Sequence, residues 1–413
     1  MSKIGVGIIG ASPLRPGWAV AAHLPALASL PDYELRAVAT SSEASAKAAG
    51  DAYGVPAYSD PSLLIARPDV DLVVVTVRVA HHHALISQAV AAGKMVMSEW
   101  PLGVDIAQST DIAARVTKTD LWTLIGLQAR MAPSIRYARD LVEQGYVGKV
   151  LGTAIVGSGI AWTTVSDSAH TYMFDAQSNA SLLSVPVMHA IDAMQFVVGD
   201  LTDVRATSAV RNPVIRLADT EQDIQSTTPD HLAIAATLES GAVASIFYRG
   251  GTSRGENFRW EINGSDGDLV LTSPVGNLQV LAPNLFGGRG EDAAVAPLDI
   301  PSEYDLGTGS LEGPGANVAR LYAAFARDLR DGTPGATAPD FAHALRLHRT
   351  LDGIAHAAAS GVAQTLGQGA DHAEPQLHRL GPGCAPTTSP RSPPPSGPET
   401  RSPDSRRARD GRW

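Results

Sequence analysis

The chain has 413 residues, 44% hydrophobic and 18% charged, with a formal net charge of -10. That length predicts two or three domains, and the acidic balance excludes nucleic-acid backbones, which need a basic face, as a direct partner. One cysteine, Cys384, excludes an intrachain disulfide framework and a cysteine-based zinc site. The most apolar stretch, Val70–Val79, carries Asp71 and Arg78 and is far short of the roughly 20 residues of a membrane helix. The N-terminus enters a strand at once, without an apolar region of signal type. A cytoplasmic protein with no membrane partner is expected.

In chain order, Ile4–Ile9 reads as a buried strand and Ala19–Leu30 as a helix ending at Pro31. Strand Glu34–Ala39, helix Ser42–Tyr53 closed by Gly54, and the valine-rich strand Asp71–Val77 follow. Next come helix His81–Ala92 stopped by Gly93, strand Met95–Met97, helix Ile106–Thr119 and strand Trp122–Leu127. Strands without alternation, interleaved with helices, predict a parallel sheet covered on both faces, an α/β unit over residues 1–130.

After helix Ser134–Gln144 and Gly145 the pattern changes. Val150–Val156, Val204–Val210, Leu232–Leu238, Ala242–Tyr248, Trp260–Asn263 and Leu269–Leu271 read as strands, with turns at Glu239-Ser240-Gly241 and Ser265-Asp266-Gly267. They predict a large open, mostly antiparallel sheet with a helix near His189–Val198 on it. Ala316–Asp331 and Phe341–Ala358 read as closing helices. This second, α+β domain is expected over 131–366. The Pro/Ser/Arg-rich segment 367–413 cannot bury enough apolar surface to offset chain entropy, and a disordered tail is expected there.

Gly5-Val6-Gly7-Ile8-Ile9-Gly10 matches a G-x-G-x-x-G string, but its first two glycines fall inside the strand, where they cannot face a phosphate. The better candidate for a pyrophosphate loop is the turn from Gly10 to Trp18, with Ala11, Ser12 and Gly17. An ordinary strand-to-helix loop explains the same residues equally well. At the end of the second strand, where an NAD-selective site places a carboxylate, stand Thr40, Ser41 and Ser42. Their hydroxyls do not repel a 2′-phosphate, which favours NADP(H), with NAD(H) as the second choice.

Six further stretches carry a resemblance: Gly17-Trp18 with His23-Leu24-Pro25-Ala26, Glu99-Trp100, Gly126-Leu127-Gln128-Ala129-Arg130, Gln144-Gly145-Tyr146-Val147-Gly148, His189-Ala190-Ile191-Asp192 and Pro229-Asp230-His231. In this order they resemble the Gfo/Idh/MocA oxidoreductases over roughly residues 3–365, most closely the branch that includes the yeast galactose-regulon repressor. The resemblance implies an N-terminal Rossmann domain, a nicotinamide cofactor between the domains, and a homodimer or homotetramer built through the C-terminal sheet. It also implies cofactor contacts from Val77, His82, Glu99, Trp100 and Gln128, and a sugar-like substrate near Trp100, Arg130 and His189.

Moving a hydride at a sugar carbon needs an acid/base for the hydroxyl proton. The resembled family supplies a lysine, where this chain has Trp100, and an aspartate four positions before the histidine, where this chain has Val185. His189 is the titratable group left. Asp192, one helical turn on, can share its face, orient the ring and raise its pKa. A buried, inert histidine is the competing reading. His81-His82-His83 point in different directions and form no expected metal site. Arg130 suits phosphate, substrate or a plain ion pair. Trp100, Trp162 and Tyr172 suit stacking on a substrate face or core packing. Two functions follow: an NAD(P)-dependent oxidoreductase on a sugar-like or cyclic polyol substrate, or a dinucleotide- or sugar-sensing regulator without catalysis.

Overall fold

The structure, a computed structural model, describes residues 3–306, 309 and 311–367. Ile4–Ile9 (β1), Tyr33–Ala39 (β2), Ala57–Tyr58 (β3), Leu72–Val75 (β4), Met95–Glu99 (β5) and Thr123–Gly126 (β6) form one sheet in the order β3-β2-β1-β4-β5-β6. Every neighbouring pair is parallel. Leu72, Val73, Val74 and Val75 are all fully buried, as expected of a valine run covered on both faces. Leu24–Ser29 (α1), Glu43–Tyr53 (α2), Pro61–Ile65 (α3), His82–Ala91 (α4) and Ile106–Val116 (α5) connect the strands. The strand order reverses between β1 and β4, which opens a crevice at the carboxyl ends of the strands, where such sheets bind ligands.

Local chemistry explains most boundaries. Ser42 caps α2 in a reciprocal capping box with Ser45, and Gly54 closes that helix in the left-handed conformation. The helix expected over Ala19–Leu30 differs: Ala19–His23 is wound as a π-turn, and α1 begins only after it. The short β3 and α3 were not expected; two and five residues are too few for a readable period.

The second sheet follows Pro133–Glu143 (α6). Its elements are Val150–Gly159 (β7), Val165–Ser166 (β8), Met188–Val198 (α7), Leu201–Ala209 (β9), Val214–Leu217 (β10), Gln222–Gln225 (β11), His231–Leu238 (β12), Val243–Gly250 (β13), Phe258–Gly264 (β14), Gly267–Ser273 (β15), Asn284–Arg289 (β16) and Ala296–Pro297 (β17). Pro314–Asp331 (α8), Phe341–Ser360 (α9) and Gln364–Thr365 (β18) close the described chain. The large sheet runs β17-β16-β15-β14-β7-β13-β12-β9-β18, and a small one runs β11-β10-β8. In the large sheet only the β7–β13 pair is parallel. The sheet is therefore mixed but mostly antiparallel. Along β13, Ala244, Ile246 and Tyr248 are buried while Val243, Ser245 and Phe247 face out. The buried face shares one core with Met188, Ile191 and Met194 of α7 and Phe341, Leu347 and Ile354 of α9.

The linear division at residue 130 does not describe the packing. Val318, Leu321, Tyr322 and Phe325 of α8 lie in one core with Val6 and Ile8 of β1 and Leu27 of α1, so the end of the chain completes the N-terminal unit. Ala176–Val198 has the length and hydropathy of a membrane span, yet 72% of its most apolar window is buried; α7 at its end is a core helix. The tail expected from residue 367 onward lies, beyond Gly367, outside the described residues.

Candidate active site

The crevice starts at Gly10, immediately after β1. Its φ of +114° and a would-be Cβ 2.6 Å from the Thr76 carbonyl oxygen require glycine there. Thr76 Oγ1 donates to Ile9 O at 2.8 Å and ties the ends of β1 and β4 together. The loop then runs through Ala11, Ser12 and Gly17 into the π-turn, where Val20 and Ala21 N–H groups bond Gly17 O. A Cβ at Gly17 would meet nothing, so that glycine is not sterically needed.

Beside it, the three hydroxyls expected to face a ribose phosphate are not equivalent. Thr40 is buried, accepts from Ser45 Oγ at 2.8 Å and donates towards Ser42 O. Ser42 Oγ accepts the Ser45 N–H as the helix cap. Ser41 alone of the three is exposed with no side-chain bond among the described residues.

Gln128 follows β6 and is fully buried, and neither its amide oxygen nor its nitrogen has a partner. Trp18 Nε1 and His189 Nδ1 are buried and unpartnered as well. Buried polar groups are nearly always bonded, so orphans on the elements that frame the crevice mark where a polar ligand fits. The residues present fit a nicotinamide dinucleotide: the Gly10–Trp18 loop would suit its pyrophosphate, and Gln128 would offer a donor and an acceptor to an amide.

At position 100 the peptide bond to Pro101 is cis. The Trp100 indole is almost buried, donates from Nε1 to Ser184 O at 2.6 Å and lies on the His348 ring with centroids 4.5 Å apart. It is therefore committed to packing, not presented to cofactor or substrate as expected. The His82 ring is buried with Nε2 3.0 Å from Val77 O and Nδ1 3.0 Å from Pro101 O; the neutral ring has one N–H and donates to one of these carbonyls. His83 pairs with Asp111 at 2.6 Å, away from His82, and the histidine run does not converge.

His189 sits on α7, buried, and burial pushes its pKa down to about 4 against the opposing charges of Glu99 and Asp192. Asp192 does raise the pKa of this ring, as expected, though less than burial lowers it, and its hydrogen bonds go to other partners than His189. Asp192 is held by the Arg130 guanidinium through Nε at 2.7 Å and through a second short bond, and by His343 Nε2 at 2.7 Å. Burial alone would raise this carboxyl; the Arg130 charge and His343 outweigh it and hold it at about 2. Arg130 is thus neutralised by Asp192 and not displayed to a substrate.

Glu99 ends β5 with its carboxylate against Gly126, where a Cβ would stand 2.5 Å from Oε1. His23 Nε2 is 3.0 Å from Oε1, and His23 Nδ1 is 2.8 Å from the Tyr322 hydroxyl. His23 and Tyr322 were given no role from sequence. The first stands in a recognisable stretch, His23-Leu24-Pro25-Ala26, while the second has no local signal. Tyr172 lies under the Arg78 guanidinium at 4.9 Å, and Trp162 is buried with its Nε1 unpartnered.

A doubly wound parallel sheet with a glycine turn at its switch point, and a histidine helix from a second sheet domain, defines a two-domain dinucleotide-binding oxidoreductase fold. Family comparison agrees. Residues 4–126 match the oxidoreductase family with NAD-binding Rossmann fold, and residues 133–273 match the Gal80p C-terminal domain. The two matches in this order are those of a Gfo/Idh/MocA branch resembling Gal80. It is 29% identical to the dehydrogenase aclE of Aspergillus oryzae, over 69% of this chain and 81% of the relative. It is 26% identical to the galactose/lactose metabolism regulatory protein GAL80 of Saccharomyces cerevisiae, over 75% and 77%. Levoglucosan dehydrogenase in complex with NADH and L-sorbose superposes with a TM-score of 0.77 at 20% identity, covering 89% of this chain and all of that one; this likeness concerns the fold.

Proposed function

We propose that the protein is a cytoplasmic, NAD(P)-dependent oxidoreductase acting on a sugar-like or cyclic polyol substrate, with NADP(H) preferred and His189 as the acid/base. The observation that carries the reading is the buried His189 ring with Nδ1 unpartnered, beside the crevice where Gln128 has an unpaired amide. The bound nicotinamide would supply or accept the hydride. This chain's residues would do the rest: Gly10, Ser12 and Trp18 hold the dinucleotide, Ser41 accommodates the ribose phosphate, and His189 exchanges the hydroxyl proton. The outward face of the large sheet, with Val156, Val243 and Phe247 exposed, is the surface for homodimer or homotetramer formation.

One observation favours a second reading, a dinucleotide- or sugar-sensing regulator like the GAL80 relative. Trp100 fills the position of a catalytic lysine and is locked to Ser184. Reduced-cofactor absorbance against a panel of sugars, inositols and glycosides separates the two. Turnover of any panel member establishes the enzyme. Tight NADP(H) binding without turnover, by wild type and by Trp100→Lys alike, establishes the regulator.

A further inference from the structure

We propose that Trp100 is a positioning residue for His189: the indole N–H, bonded to the Ser184 carbonyl, fixes the entry of α7 and with it the place of the imidazole. This deepens the oxidoreductase reading and rests on it. His189 is still the group that meets the substrate, and Trp100 acts on it through the backbone.

The His189 ring has no fastening of its own. Nδ1 is buried without a partner, and among the described residues no side chain bonds the other nitrogen. The place of the ring therefore depends on the backbone of α7. That helix does not begin freely. Leu183–Val187 runs into it as a π-turn, and Leu182, Val187 and Met188 all have right-handed helical dihedrals. Turns of this winding are frequent at functional sites. His189 follows Ser184 by five positions of this continuous helical backbone, roughly 7 Å along the axis at about 1.5 Å per residue. A shift at Ser184 is thus carried to His189.

Ser184 is where the turn is held. The Met188 N–H reaches Leu183 O and Val185 O, on either side of Ser184 O. Ser184 O accepts from Trp100 Nε1 at 2.6 Å. Both residues are buried, so water does not replace that bond if it is lost. The indole cannot follow the turn, because its ring lies on His348 of α9, and His348 Nε2 accepts the Leu102 N–H at 3.1 Å. The same stretch grips the segment at a second point. Asn179 Nδ2 donates to Gly103 O at 2.9 Å. Ser184 Oγ donates to Asn179 O at 2.8 Å and accepts the Ser181 N–H at 2.8 Å. The end of β5 and the loop after it therefore hold residues 179–184 through one carbonyl and one side chain. A lysine aimed at a substrate carbon would leave Ser184 O without this buried donor. Position 100 carries a strut in place of a proton carrier.

Trp100→benzothienylalanine, with sulfur in place of the ring N–H, keeps the stack on His348 and deletes only the donor. Trp100→Phe serves if that variant fails to fold. In the cofactor-free full chain, the His189 ring Cε1–H signal in NMR should move by more than its linewidth. The signal of His83, paired with Asp111, should stay. With a working substrate, kcat should fall about tenfold or more and KM should hold within about twofold, since a misplacement of about 1 Å is enough to slow chemistry without weakening binding. A side chain that only fills space would leave both readouts at their wild-type values. An unmoved His189 signal overturns the proposal, and so does a kcat within about twofold of wild type. The NMR readout uses no substrate, so a moved signal in a protein that turns nothing over upholds the hold of Trp100 on α7 and sinks the oxidoreductase reading instead.

Discussion

His189 meets two requirements that pull against each other. Burial makes its unpartnered nitrogen demand a ligand, and the same burial pushes its pKa down to about 4. At neutral pH the ring is therefore an uncharged acceptor, ready to take a proton rather than to give one. If the protein is an oxidoreductase, replacing it by alanine should lower turnover by about 10²-fold or more and leave dinucleotide affinity nearly unchanged, because the residues proposed to hold the cofactor lie on other elements. Steady-state rates and cofactor titration check both halves; full turnover in His189→Ala would place the acid/base elsewhere. Ser41 carries the other residue-scale expectation. With Thr40 and Ser42 spent on the cap of α2, it is the hydroxyl left for a 2′-phosphate. Fluorescence or calorimetric titration should give tighter binding of NADPH than NADH, and Ser41→Asp should reverse the order by charge repulsion.

Between elements, Arg130, Asp192 and His343 join the turn after β6 to α7 and α9. Arg130 also lies over the Phe196 ring at 5.0 Å. Arg130→Ala would leave Asp192 buried and paired only to His343, and should cost about 3–5 kcal/mol, read from denaturant unfolding; a loss within error would mean solvent reaches the carboxylate. This triad also marks the limit of sequence reading. The valine run of β4, the Gly10 turn and the caps of α2 were legible because their causes lie within a few residues. The i,i+3 spacing of His189 and Asp192 was legible too, but it states only that the two can share a face. Their partners come from 62 and 151 positions away for Asp192, and His23 meets Tyr322 across 299 positions. Which long-range partner takes a carboxylate is decided by packing, and no local pattern encodes it. The same holds for α8, whose period was readable but whose place in the N-terminal core was not.

Across the whole molecule, four histidines whose pKa burial lowers, His82, His189, His343 and His348, bear on the acid limit of stability. Burial holds His189 at about 4 and His348 at about 3, against 6.5 when unfolded. A lowered histidine pKa means the unfolded chain binds protons first, so stability is full above about pH 6.5 and declines as pH falls towards 4. Melting temperature should drop across that window, and a variant with His348→Gln should drop less steeply; a flat profile would contradict the burial of these rings. The remaining expectation concerns the large sheet. Its outward face pairs Phe247 with Val156 across β13 and β7, and Val243 on the same face is 64% exposed. Exposed apolar side chains in register on one flat face mark an association surface rather than a solvated one. The charged residues Arg205, Arg259 and Glu261 also lie on that face, on β9 and β14, flanking the apolar centre. A two-fold copy laid face to face would bury the centre and leave such charges towards the rim, the arrangement usual for symmetric interfaces. Phe247→Glu should therefore convert an oligomer into a monomer in sedimentation equilibrium while leaving the unfolding transition cooperative, because that side chain faces away from the core. A wild-type protein that sediments as a monomer at micromolar concentration would remove this role from the sheet.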